Sequence, residues 1–325
     1  MSFQAAAQTN YDFTNNGGDN DWSNSENWSP TGIPASSDTA TIATGDSVVV
    51  NSDVTADSAG GIINCLAKLT VNSGMDFRGG DLRGSDTLVI ASGATLAFTS
   101  STFKDLWQLV LRNEGTTNWI GNGRISLRDN STIINASGAL FDVQGDYLMD
   151  YVQLDTGGNF ANLGTLRKSS GSGTATIDPT FYNTGTVDCN NGTLRFERGD
   201  STEVSTGSFD AASSTVSELD ERPFLFNGVN FTGSGTTDLI DATFTLSGSG
   251  MIISDGATVN ADDDNCIITG SAAITVNGTF ELENCSITGS GAFTNNGTLS
   301  FICNDSKTIE NRSLTNNATV NWIGS

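Results

Sequence analysis

The sequence contains no histidine, and that absence removes a large body of chemistry. No Ser-His-Asp or Cys-His nucleophile can be assembled, and no metal can be held by imidazole. Basic residues are scarce as well: 14 Lys and Arg stand against 37 Asp and Glu in 325 residues, a formal net charge of −23. Nucleic acid is therefore not expected as a partner, because phosphate contacts need clustered Lys and Arg. Anionic membrane surfaces are disfavoured on the same ground. No apolar run reaches the roughly 18 residues of a membrane span. The opening MSFQAAAQTNYDF lacks the basic and apolar regions of an intact signal peptide, AAAQ being the one stretch compatible with a cleaved remnant. The five cysteines are odd in number and show no CxxC, which argues against a zinc site or a dense disulfide framework.

What remains is rich in Gly, Asn, Ser and Thr, with 17 Phe and many Val, Ile and Thr. Acidic disordered tails lack such residues, so the chain is expected to fold, and to fold as strands. The charge is uneven. Residues 1–67 hold no Lys or Arg, residues 68–198 nearly balance, and residues 199–325 carry three bases against sixteen acids.

Two abutting stretches, NCIITGSAAITVNGTFELE (265–283) and NCSITGSGAFTNNGTLSFI (284–302), share eleven of nineteen positions. The pattern apolar-x-Asn-x-Gly/Ala-Thr recurs in LRNEGTT (111–117), FANLGTL (160–166), FYNTGTV (181–187), FTNNGTL (293–299) and LTNNATV (314–320). Apolar residues alternate over short runs between Asn-Gly and Gly-Thr punctuation, the signature of strands and corners. A period near 20 residues with no leucine framework or helical segment points to a β-solenoid. The expected fold is all-β: a right-handed parallel β-helix with coils of about 19–22 residues, in one continuous domain. Residues 1–45 would form an N-terminal extension and cap, and 46–325 the helix itself, continuing or stacking beyond residue 325. At a rise near 4.8 Å, about 13 coils would make a rod of roughly 60 Å.

Repetition then has a physical cause. Equivalent positions stack, so a Phe above a Phe makes the same contact at each rung. The third-position asparagines, Asn113, Asn162, Asn183, Asn295 and Asn316, fall where strand becomes corner; they are read as structural, tolerating turn geometry and able to form an amide ladder. Cys266 and Cys285 occupy equivalent places one coil apart. A disulfide is conceivable there, but small interior residues in a stack are the preferred reading.

The segment DWSNSENWSPTGIPASSDTATI (21–42) departs from this rhythm. Trp22 and Trp28 are expected to dock it on the first coil, because a solenoid end exposes unpaired backbone and core; sugar stacking by either ring is the alternative. Trp22, Asn27-Trp28, Gly32, Pro34, Asp38, Ala40 and Ile42, followed by LTVNSG at 69–74, resemble the opening of β-helical passenger regions in large bacterial secreted and surface proteins. Residues 160–196 are similar to the adhesin-type repeats of that group. The resemblance covers most of the chain and implies surface architecture and adhesion outside a bacterial cell. It brings no shared catalytic site.

Residues able to do chemistry are few. A polysaccharide lyase or glycoside hydrolase working in a groove on the sheet is the runner-up, for which Arg167-Lys168 and Arg195/Arg198 are the tight basic pairs. As structural residues they would be exposed on strands or corners. Carboxylate pairs for glycoside hydrolysis include Asp142 with Asp146, and Glu218 with Asp220 and Glu221. No cofactor is expected. Asp262-Asp263-Asp264 and Asp19-Asn20-Asp21 are candidate calcium ligands, although neither fits the EF-hand or nonapeptide patterns. SELDERPFLF (217–226) is expected to include a protruding loop and, through Glu218, Asp220, Glu221 and Arg222, a recognition site. Regular Thr-x-Thr ladders are not expected. Partners would be surface carbohydrate or the chain itself, head to tail, where two acidic ends would repel unless calcium or salt screened them.

Overall fold

A computed structural model describes residues 9–35, 38–42, 48–50, 54–56, 62–151, 157–262, 265–302 and 308–323. The chain comprises two compact units, residues 1–159 and 160–325. Strands in both follow from alternation: in Thr193–Phe196 the leucine and phenylalanine point inward while Thr193 and Arg195 point out. Among the described residues the architecture is a parallel β-solenoid of about 12 coils with almost no helix.

In the first unit each coil lays one strand on each of three faces. The first face stacks Asn10–Phe13, Thr39–Ile42, Ile62–Cys65, Gly80–Arg83, Lys104–Trp107, Ile125–Arg128 and Leu148–Tyr151, all parallel. The second runs from Val48–Val50 to Thr132–Asn135 and the third from Val54–Ala56 to Leu140–Val143. Trp28–Ser29 pairs antiparallel to Asn10–Phe13. The segment before the coils also reaches the second face, where Val49 N donates to Asn20 O and Trp22 N donates to Val49 O. Strand Thr39–Ile42, within residues 1–45, already belongs to the parallel stack; the 45/46 boundary itself lies outside the described residues.

In the second unit the first face runs from Thr174–Ile177 to Thr319–Ile323, with register pairs such as Thr174↔Thr193 and Thr193↔Val216. Those spacings of 19 and 23 residues show that corner length varies while strand length barely does. Like stacks on like inside: Phe209 on Phe231 at 5.8 Å between centroids, and Phe224 on Phe244 at 5.5 Å. Outside, Thr236, Thr258, Thr279, Thr298 and Thr319 form one column. The next outward column is Asp238, Asn260, Glu281, Ser300 and Asn321, so the threonines have no second Thr rank beside them.

The repeat motif is built from these contacts. Asn162 Nδ2 donates to Asn183 Oδ1 and Thr186 O, and Asn183 Oδ1 accepts from Gly185 N. Gly185 is required because a Cβ there would lie 2.1 Å from Gly164 O on the preceding coil. The same ladder joins Asn113 to Asn135 and Asn295 to Asn316.

Cys266 and Cys285 are not merely stacked. They form a disulfide between successive coils, with Cα atoms 4.6 Å apart and both side chains buried. This corrects the preference for two unlinked interior thiols: the rise of one coil places the Cα atoms within the bonding range. Cys65 and Cys189 are buried free thiols, and Cys303 lies outside the described residues.

Candidate recognition face

Three neighbouring strands on the first face of the first unit end alike: DLRG (81–84), DLWQ (105–108) and SLRD (126–129). Leu82, Leu106 and Leu127 are buried, and alternation therefore turns Arg83, Trp107 and Arg128 outward in one register column. Trp107 is held between two guanidiniums, with Arg128 Cζ 4.8 Å and Arg83 Cζ 5.7 Å from the ring centroid. Arg128 Nε is fixed by Asp105 Oδ1 at 3.2 Å, and Arg83 pairs with Asp81. Alongside, Arg124 lies 4.6 Å over the ring of Phe103 and binds Asp150 at 2.9 Å.

At the corner that follows these strands Arg83, Gly84, Trp107, Gln108 and Asp129 line a cavity of about 230 Å³. Its backbone is unusual. Gln108, Asp129 and Asn130 all have φ between 49° and 62°, a left-handed region that residues with a Cβ enter only when the surroundings hold them there. Gly84 has φ +139°, and a Cβ on it would meet Cys65 O at 1.9 Å. Arg83 Nε and Trp107 Nε1 are buried donors without a hydrogen-bond partner in the protein. None of these cavity residues was singled out from the sequence, although the thrice-repeated x-Leu-x strand end was there to be read.

The residues that were singled out are dispersed. Trp22 and Trp28 are 6% and 1% exposed, in edge contact at 4.7 Å, and Trp28 Nε1 donates to Trp22 O. Neither ring is open to a sugar. Asp19 accepts from Asp21 N, Asn27 Nδ2 and Asn24 Nδ2, which hold its carboxyl below the usual range. Asp262 closes strand Thr258–Asp262, while Asp263 and Asp264 lie outside the described residues. Among the described residues no three or more Cys, Asp and Glu side chains come together as a metal cluster.

The loop expected within 217–226 is short, residues 220–223, with Glu221, Arg222 and Pro223 exposed. Val216–Leu219 and Phe224–Phe226 are regular strands, and only Asp220–Pro223 connect them. Glu218 faces outward beside Arg195 of the preceding coil. Arg195 also reaches Glu197 and Glu218 at 3.7 and 3.8 Å and contacts Asp220 closely. Glu218 is thus an outward strand position with its counter-charge one coil away, while Asp220, Glu221 and Arg222 lie in the connection. Glu221 has φ 59°, and Arg222 N donates to Asp220 O. Burial pushes the Asp238 carboxyl up to about 6, with Glu218, Asp262 and Glu283 adding repulsion.

The basic pairs do not converge either. Lys168 is fully buried, its Nζ donating to Ser170 O and Gly171 O, which corrects its reading as an exposed residue. The strand Thr165–Lys168 ends with this position facing inward, so Arg167 and Lys168 point to opposite sides. Arg198 binds Asp178 at 2.6 Å. Asp142 is buried and accepts from Gln144 Nε2, while Asp146 is exposed.

No family model and no curated protein matches this chain. Among solved structures, the surface protein and adhesin PfbA of Streptococcus pneumoniae aligns with 88% of this chain and 91% of its own, at 11% identity and a TM-score of 0.24. A score that low carries no argument. Among the described residues no helix is long and apolar enough to cross a membrane.

Proposed function

We propose that this chain is a non-catalytic, adhesin-like solenoid of a bacterial cell surface, a stalk that presents its outer sheet for recognition. The observation that carries the reading is the direction of its polar contacts. Asn113–Asn135, Asn162–Asn183, Arg128–Asp105, Arg198–Asp178 and Arg195–Asp220 each join residues 20 to 25 apart, one coil to the next. These polar side chains are engaged in coil-to-coil cohesion, which suits a load-bearing spacer.

One edge of the first face is unsuited to head-to-tail addition. Trp28–Ser29, a two-residue antiparallel strand followed by Pro30, sits at one edge of the first face. Short edges and proline discourage further strand addition.

The test incubates the protein with neutral and acidic polysaccharides and follows new reducing ends, unsaturated-uronate absorbance and co-sedimentation. Retention without cleavage is expected. Turnover of any polysaccharide that is lost on replacing Arg195 would overturn the non-catalytic reading.

A further inference from the structure

The cavity at Arg83, Gly84, Trp107, Gln108 and Asp129 is a built site that stalk cohesion does not explain. We infer that it binds one sugar unit of a neutral glycan. The inference rests on the recognition role proposed above and names its ligand class.

Charge decides between neutral and acidic sugars. Arg83 and Arg128 bring two positive charges, and Asp81, Asp105 and Asp129 bring three negative ones, with both guanidiniums already paired. No excess positive charge remains to attract an anion. Donors and an acceptor nevertheless meet in one small space: the Arg83 guanidinium, the Gln108 amide and the Asp129 carboxylate. A sugar hydroxyl both donates and accepts, so a neutral ring satisfies this mixture where a carboxylate would face Asp129.

The indole supplies the apolar wall. Its Arg128 side is fixed, because Arg128 is tied to Asp105 and only 20% exposed. Its Arg83 side is loose: the guanidinium stands 5.7 Å from the ring on a side chain 44% exposed. The Asp81–Arg83 pair is part-buried with its guanidinium on the solvent side, where an ion pair holds with little energy. When Arg83 swings off the ring, that face is free to stack against the C–H face of a sugar. The same movement uncovers Trp107 Nε1 and Arg83 Nε, the two buried donors left without partners, and ligand oxygens complete them. The left-handed corners at Gln108 and Asp129 hold their side chains at the rim.

The experiment is saturation-transfer NMR on the full chain with methyl glucoside, methyl galactoside and methyl mannoside, and with glucuronate as the anionic arm. Transfer to the ring C–H protons of at least one methyl hexoside is expected. Affinity should fall about tenfold in Trp107→Ala, the loss of one well-made contact, and severalfold in Gln108→Ala, an exposed position that leaves the fold intact. Binding of glucuronate alone, absence of transfer from every hexoside, or unchanged binding in both variants would overturn the inference. The stalk reading fails on a different readout, polysaccharide cleavage, so the two failures are distinguishable.

Discussion

Asn162 Nδ2 donates to Asn183 Oδ1 at 2.8 Å, across one full coil and in the buried interior. Asn183 in turn accepts from Gly185 N and donates to Ser208 O on the following coil. One side chain therefore ties three successive coils. Asn183→Ala removes these bonds, although Gly185 N keeps Asn162 O as an acceptor, and should cost about 2 kcal/mol. Asn316 is exposed and accepts a single ladder bond, from Asn295 Nδ2, which keeps Thr319 O as a second acceptor, so alanine there should cost less, about 1 kcal/mol. Chemical denaturation of the two variants checks the contrast; equal losses would contradict it.

The Cys266–Cys285 disulfide closes a loop of one coil. Cross-linking a loop of this size stabilises by about 3 kcal/mol. Cys285→Ser should lower the melting temperature of the second unit to the same extent as reductant lowers that of the native chain. Non-reducing mass spectrometry that finds both thiols alkylated would refute the bond.

Asp238 holds its proton more tightly folded than unfolded, because burial and the facing Glu218, Asp262 and Glu283 oppose its charge and only Asn260 supports it. The folded chain then binds more protons across this window, so this group makes stability fall as pH rises from 3.8 to about 6. Asp238→Asn keeps an acceptor for Asn260 Nδ2 and removes the repulsion. At pH 7 it should stabilise by on the order of 1 kcal/mol, after allowance for solvent screening. Thermal melts at pH 4 and pH 7 should show that gain only at the higher pH.

Lys104 has the opposite sign. Fully buried, with Nζ donating to Ser100 O and Thr102 O, it is pushed down by burial from 10.5 to about 8. The unfolded chain holds the proton across that interval, so stability rises with pH through it. Lys104→Met should abolish the rise, and the native-minus-variant difference should widen between pH 8 and pH 10. Parallel pH curves would show that the amine carries no such linkage.

Much of the fold was legible because stacking makes a coil repeat itself. FYNTGTV and FTNNGTL announce a strand, an inward Asn and a Gly pressed against the coil before it. Which corner they occupy was not legible: Asn183 ends a strand of one face, whereas Asn295 ends a strand of another. The motif encodes a close approach of backbones, and any corner supplies that. Glu218 was misread as part of a loop because its counter-charge, Arg195, is a neighbour only through the coil. The cavity beside Trp107 escaped notice because its residues come from three coils and no one segment carries its chemistry. Cys266 and Cys285 revealed their stacking by spacing; spacing is silent on oxidation.

If coil-to-coil contacts make this chain a load-bearing solenoid, single-molecule stretching between residues 10 and 320 tests it most directly. Each coil of about 20 residues holds roughly 70 Å of contour, so extension should proceed in steps at multiples of that length. Nearest-neighbour cohesion predicts a lower force for those steps in Asn183→Ala. A featureless extension with no coil-sized steps, unchanged by that substitution, would contradict the account.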